Sequence, residues 1–175
     1  MPHGRGNVQQ WSTFASERVD SSSEDSATQP DHAKLWCSGV PELLARRHRV
    51  PFTQISMTEG KPVEFRTTLM EQVYLAMRDT INIPEDDRFA TISEHKPENI
   101  NNSGSYLGID RSADVIFIQI ALNHGRSTDQ KKALYAKIAE RLSDSLDVRP
   151  EDIVVNLVEV QPQDWSLGNG EGQYA

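Results

Sequence analysis

The chain has 175 residues, 37% of them hydrophobic, and a formal net charge of −8. That length suits one domain with its own core. The acidic balance argues against nucleic acid as a main partner, because phosphate binding needs a basic face. No apolar run is long enough to span a membrane. The N-terminus lacks the apolar centre of a signal peptide, and its acidic residues argue against a transit peptide. A cytoplasmic protein is expected.

Residues 1–50 differ from the rest. They are rich in Ser, Gln, His, Arg and Pro, and the run VDSSSEDSATQPDH has a disorder-type composition. Six basic and six acidic residues cancel there, so the whole net charge belongs to residues 51–175. The single cysteine, Cys37, also lies in this extension. Disulfides and cysteine-based metal sites are therefore excluded for residues 51–175. Two parts follow: a disordered extension or mis-assigned leader over 1–50, and a domain over 51–175.

The domain reads as strand, helix, strand, then the same again. PFTQISM (51–57) alternates as a short strand. Residues 62–81 carry Phe65, Leu69, Val73, Ala76, Met77 and Ile81 at helical spacing, with Pro62 and Glu64 suited to the first turn. FATISEH (89–95) is a second strand, with His95 packing at its end. The following stretch, rich in Pro, Asn, Gly and Ser, is loop. DVIFIQIAL (114–122) is the strongest strand signal. Ser127 and Gln130 have capping-box spacing before a helix with Leu134, Ile138, Leu142 and Leu146 on one face. DIVVNLVEV (152–160) is the fourth strand, and a Gly-rich irregular tail follows.

The two halves look like copies. Gln54-Ile55 matches Gln119-Ile120, and Gly60 matches Gly125, both 65 residues apart. Pro84-Glu85-Asp86 matches Pro150-Glu151-Asp152 at a separation of 66. Each copy is a βαβ unit with parallel strands. The expected fold is an α/β (α+β) domain: duplicated βαβ units, a four-stranded mixed sheet, and two helices on one face. Apolar residues occupy both faces of 114–122 and 152–160, whereas two helices cover only one. The second face is expected to meet a partner chain.

A strand opening at Pro51 in a duplicated βαβ domain resembles the tautomerase superfamily, and within it malonate semialdehyde decarboxylase and its relatives. The residues that carry the resemblance run in order. They are the Pro51 strand, Glu59-Gly60, PEDDR at 84–88, Glu94-His95, LGIDRS at 107–112, HGRSTDQK at 124–131 and DWSLG at 164–168. Residues 1–50 have no counterpart in it.

The resemblance implies a homotrimer and an amino-terminal proline as the catalytic group. A free prolyl nitrogen is a secondary amine able to act as base or acid near neutral pH. Without the resemblance, Pro51 would read as an ordinary strand-opening proline. Asp87 matches the family's catalytic aspartate; it would hold a protonated proline or orient a water. Arg126, just ahead of a helix, matches a carboxylate-binding arginine. The subgroup has a second arginine where this chain has His124, so the positive charge there becomes conditional on pH. Trp165 and Leu167 match pocket-lining positions, and Tyr106 in the long loop is a further candidate donor. No metal-ligand spacing or phosphate loop is present, and no cofactor is implied.

The expected function is acid/base chemistry by Pro51 on a small carboxylate substrate. It would be decarboxylation of a 3-oxo acid such as malonate semialdehyde, or keto–enol tautomerisation. The alternatives are a hydratase or dehalogenase of an unsaturated acid, and a non-catalytic binding module. Enzymatic activity requires a free amine, yet Pro51 follows Val50. Two routes would free it. One is proteolysis after Val50. The other is initiation at residue 50, since a valine codon, GTG, is also a bacterial start codon.

Overall fold

The computed structural model describes residues 50–174. The expected leader, apart from Val50, lies outside the described residues. The duplicated order is β1 (Phe52–Thr58), α1 (Val63–Ile81), β2 (Phe89–His95), β3 (Ile116–Asn123), α2 (Thr128–Leu146) and β4 (Ile153–Val160). The sheet order is β2-β1-β3-β4. Each repeat contributes a parallel pair, β1 with β2 and β3 with β4. The two repeats join through antiparallel β1 and β3, with Phe52 opposite Ala121 and Met57 opposite Ile116.

The period of two along each strand divides the sheet into two faces. Ile55 and Met57 of β1, and Ile116, Ile118, Ile120 and Leu122 of β3, point toward the helices and are buried. They meet Leu69, Val73, Ala76 and Met77 of α1 and Leu134, Ile138 and Leu142 of α2 in one core. This core draws only on the duplicated domain. Ile118 is 1% exposed at the middle of β3. Ile118→Ala is expected to cost about 2–5 kcal/mol of unfolding free energy through lost burial and a residual cavity. Urea denaturation measures it, and a loss well below 2 kcal/mol would mean that the site collapses to fill the space.

Helix ends follow local chemistry. Ser127 and Gln130 form the expected capping box, each side chain bonded to the other's backbone N–H. Pro62 is the N-cap of α1 rather than a residue of its first turn. Arg141 ties the helices together, donating to Asp79 at 2.6 Å and to Gln72 at 3.0 Å. At the end of β3 away from the candidate site, Asp152 is 3% exposed and accepts from the Ser112 N–H at 2.6 Å and its hydroxyl at 2.8 Å. Asp152 thus anchors the long loop before β3, whereas its repeat partner Asp86 is exposed.

On the outer sheet face the expected apolar residues are interrupted by a polar row. Register aligns Thr91, Gln54, Gln119 and Asn156 in one polar row across all four strands. Gln119 donates to Asn156 within it at 3.0 Å. Apolar residues flank this row, with Phe52, Ala121 and Val158 on one side and Phe117 and Val154 on the other. The face is banded because the same two-residue period that buries the isoleucines turns both glutamines outward.

Candidate active site

The antiparallel β1–β3 register brings the start of β1 to the end of β3. Phe52 lies opposite Ala121, so buried Pro51 falls beside the Leu122–Asn123 end of that strand. There β3 continues into the segment that carries His124 and Arg126. The chain leaves the strand through Gly125 at φ +104, a left-handed conformation that a side chain would strain. The same turn recurs after β1 at Gly60, with φ +110.

Asn123 organises this corner. It is 7% exposed, its carbonyl accepts from Arg126 Nη1, and its Oδ1 accepts from Trp165 Nε1 at 2.6 Å. One buried residue thus holds two of the expected site residues, Arg126 through its backbone carbonyl and Trp165 through its side chain. Sequence reasoning did not single it out. The available signal was a polar residue closing an otherwise apolar strand, directly before His124-Gly125-Arg126.

Asp87 sits on the turn between α1 and β2, where its N–H reaches the Pro84 carbonyl at 3.4 Å. Burial pushes its carboxyl from the ordinary 3.8 up to about 6, and the positive charge of Arg126 opposes that rise. The adjacent Arg88 pairs with Glu71 at 2.6 Å and lies 4.0 Å from the Tyr74 ring centroid. Asp87 is thereby left to face Arg126 rather than its sequence neighbour.

A cavity of about 230 Å³ opens here, lined by Asp87, Val50, Pro84, Phe89, Leu167 and Tyr174 among others. Val50 is buried in its wall. Leu167 and Tyr174 belong to the tail, which Gln173 folds back on itself. Gln173 accepts from the Leu167 N–H at 2.9 Å and donates to the Gly168 carbonyl at 2.9 Å. Burial first, and then the negative charge of Asp87, push the Tyr174 phenol up. Tyr174 is a second residue that sequence reasoning missed; a tyrosine in an irregular Gly-rich tail carries no periodic signal.

His124 is exposed and its N–H bonds the Val160 carbonyl at 2.9 Å. Beside it the Glu159 carboxyl is held below its usual range, first by a hydrogen bond from Lys131 and also by the Gly125 N–H and the His124 charge. Tyr106 is 62% exposed in the loop before β3. That loop packs toward Asp152, away from the start of β1, so the fold does not bring Tyr106 to the other candidates. Among the described residues, no group of three or more His, Cys, Asp or Glu could hold a metal ion. No described helix is long and apolar enough to cross a membrane.

The duplicated βαβ sheet brings an arginine, an acid and a strand-opening proline to one corner. Two family profiles, each described as tautomerase enzyme, match residues 51–109 and 87–168. The chain is 37% identical over 124 residues to "Probable tautomerase YusQ" of Bacillus subtilis (strain 168). That match spans 71% of this chain and 98% of the relative. Crystal structures of malonate semialdehyde decarboxylase are similar at TM-score 0.66 and 28% identity, covering 70% of this chain and 95% of that one. The FG41 malonate semialdehyde decarboxylase, inhibited by 3-bromopropiolate, is similar at TM-score 0.66 and 31% identity, covering 70% and 93%. The chain belongs to the tautomerase family. Malonate semialdehyde decarboxylases are among its structural relatives.

Proposed function

We propose that residues 51–175, with Pro51 as a free amino terminus, form an acid/base enzyme acting on a small oxo acid. The observation that carries this reading is the corner itself. Arg126 acts on the half-buried carboxyl of Asp87, beside the place where the β1–β3 register puts Pro51. In this reading Arg126 binds the substrate carboxylate. A protonated Pro51 polarises the carbonyl for loss of carbon dioxide, and a neutral Pro51 moves a proton between carbon and oxygen. Asp87 holds the prolinium, while Trp165 and Leu167 close the apolar side. Similarity to decarboxylases at 28% and 31% identity supports the decarboxylation branch.

His124 shares its charge with Glu159, which leaves the carboxylate mainly to Arg126. The reading includes a homotrimer, for which the banded outer sheet face offers the contact surface. Fused 4-OT proteins of this fold are described as trimers.

The chain beginning at Pro51 should be assayed with malonate semialdehyde, phenylpyruvate and 3-chloroacrylate. Turnover of an oxo acid is expected. His124→Arg is expected to lower its KM about tenfold at pH 8, by adding one permanent charge-assisted contact. Failure to turn over any of the three would overturn the enzyme reading in favour of a binding module.

A further inference from the structure

Near its end, β4 carries an acid where its pattern calls for an apolar residue. Ile153, Val155 and Leu157 turn one side of the strand toward the helices and pack against the core. Glu159 continues that side by the two-residue period. Its register partner on β3 is Leu122, which is buried against the helices. Carried one residue past the Phe52–Ala121 pair, the β1–β3 register sets Pro51 on the other side of Leu122. Pro51, Leu122 and Glu159 therefore form one row on the helix face of the sheet. At about 4.8 Å per strand spacing, the Glu159 backbone lies roughly 10 Å from that of the proline.

Two groups hold the Glu159 carboxylate. Lys131, near the start of α2, pairs with it at 2.8 Å, and the two side chains are only 26% and 35% exposed. The Gly125 N–H donates to the same carboxylate. Gly125 lies between His124 and Arg126, so Glu159 grips the turn that carries both. Its pull also reaches His124. Lys131 and His124 are thus turned to a carboxylate of the protein's own. Arg126 is occupied differently, with its guanidinium on the Asn123 carbonyl and its charge felt at Asp87.

We propose that Glu159 is a specificity-determining residue: by holding Lys131 and the 124–126 turn it keeps a second positive charge from the site, which then takes oxo acids with one carboxylate and turns away those with two. The proposal rests on the carboxylate-binding role given to Arg126 above. With one carboxylate on Arg126, the second carboxylate of a dianion meets the like charge of Glu159, and the lysine that could receive it is already taken. A partly exposed ion pair adds little to stability. Its charges nevertheless lie within about one Debye length, roughly 10 Å at 0.1 M salt, of an anion bound beside Pro51.

Three substitutions separate charge from bracing. Glu159→Gln keeps an oxygen for the Gly125 N–H but releases Lys131. Glu159→Ala removes both contacts. Lys131→Met leaves the Glu159 charge without its counter-ion. In the full chain, the backbone N–H signals of Gly125 and Arg126 can be followed by NMR while acetate or malonate is added at pH 8, where acetate carries one charge and malonate two. Glu159→Gln is expected to tighten malonate about fivefold more than acetate, and Lys131→Met to weaken malonate relative to acetate. Acetate binding with no relative gain for malonate in Glu159→Gln would overturn the proposal alone. A change in Glu159→Ala but not in Glu159→Gln would make Glu159 a brace only, and would overturn it too. Neither anion binding to any form would be a failure of the Arg126 reading, and the proposal would fall with it.

In the chain beginning at Pro51, the matched substrates are malonate semialdehyde and oxaloacetate. Both are 3-oxo acids able to lose carbon dioxide, and oxaloacetate has a carboxylate in place of the aldehyde hydrogen. Glu159→Gln is expected to lower the ratio of the oxaloacetate KM to the malonate semialdehyde KM about fivefold or more, and Lys131→Met to raise it. An unmoved ratio in both variants would overturn the selection by charge. A parent chain inactive on both substrates would instead be a failure of the enzyme reading, and the NMR titrations would still decide the role of Glu159.

Discussion

A chain that begins at Pro51 is expected to turn over an oxo acid, and the same chain with Val50 still attached is not. Two physical effects act together. In the Val50–Pro51 peptide bond the proline nitrogen is an amide, without a proton to give or basicity to accept one. As an α-amino group it would titrate near pH 8, in reach of acid/base work. Val50 is also buried in the wall of the cavity that Asp87 lines, so it takes up room beside the reacting centre. Positioned general acid/base catalysis is worth about 10²–10⁴ in rate. The attached chain should lose at least that factor. Pro51→Ala, which exchanges the secondary amine for a primary one and loses the ring, should lose about the same. Matched assays of the two chain forms, with the first residue verified by intact mass, make the comparison. Equal turnover by the attached chain would exclude the prolyl nitrogen from the mechanism.

Asp87→Asn is expected to lose activity and gain stability at the same time. Folding raises the Asp87 carboxyl from 3.8 to about 6, chiefly through burial and against the pull of Arg126. Between those values the folded protein holds a proton that the unfolded chain has released. Stability from this group therefore falls as pH rises from 3.8 to about 6, and stays low above it. Asparagine does not ionise, so Asp87→Asn should melt higher than the parent at pH 7, with the difference vanishing below about pH 4. Activity runs the other way. The carboxylate is the form that holds a prolinium or accepts a proton from water, so kcat/KM should rise with pH through about 6. In Asp87→Asn that rise should disappear and the rate should fall about 10²-fold or more. Thermal melts and pH–rate profiles read the two effects. A parent rate that falls through pH 6 would make the neutral acid the working form instead.

Much of this domain is legible in the sequence because its signals are local. The periods of two and 3.6, the Ser127–Gln130 cap and the 65-residue repeat each depend on near neighbours along the chain. They are enough for two helices, four strands and the pairing within each βαβ unit. The helix faces, built on Leu69, Val73 and Met77 and on Leu134, Ile138 and Leu142, are the ones that form the core.

What the tertiary structure alone decided lies where distant segments meet. Periodicity says which side of a strand is apolar, but not which strand lies opposite which residue. The β1–β3 register aligned Gln54 with Gln119 and made the outer face banded. It also carried the start of β1 to the corner held by Asn123. Arg88 had a neighbour in sequence, Asp87, and a better-placed partner in Glu71, because α1 packs over β2. Tyr174 reached Asp87 only because Gln173 folds the tail back on itself. Tyr106, an equally plausible donor in one dimension, was carried away by a loop anchored to Asp152. Side-chain chemistry is written in the sequence. Which groups share a cavity, and hence how far burial shifts a carboxyl such as Asp87, depends on packing between residues far apart along the chain.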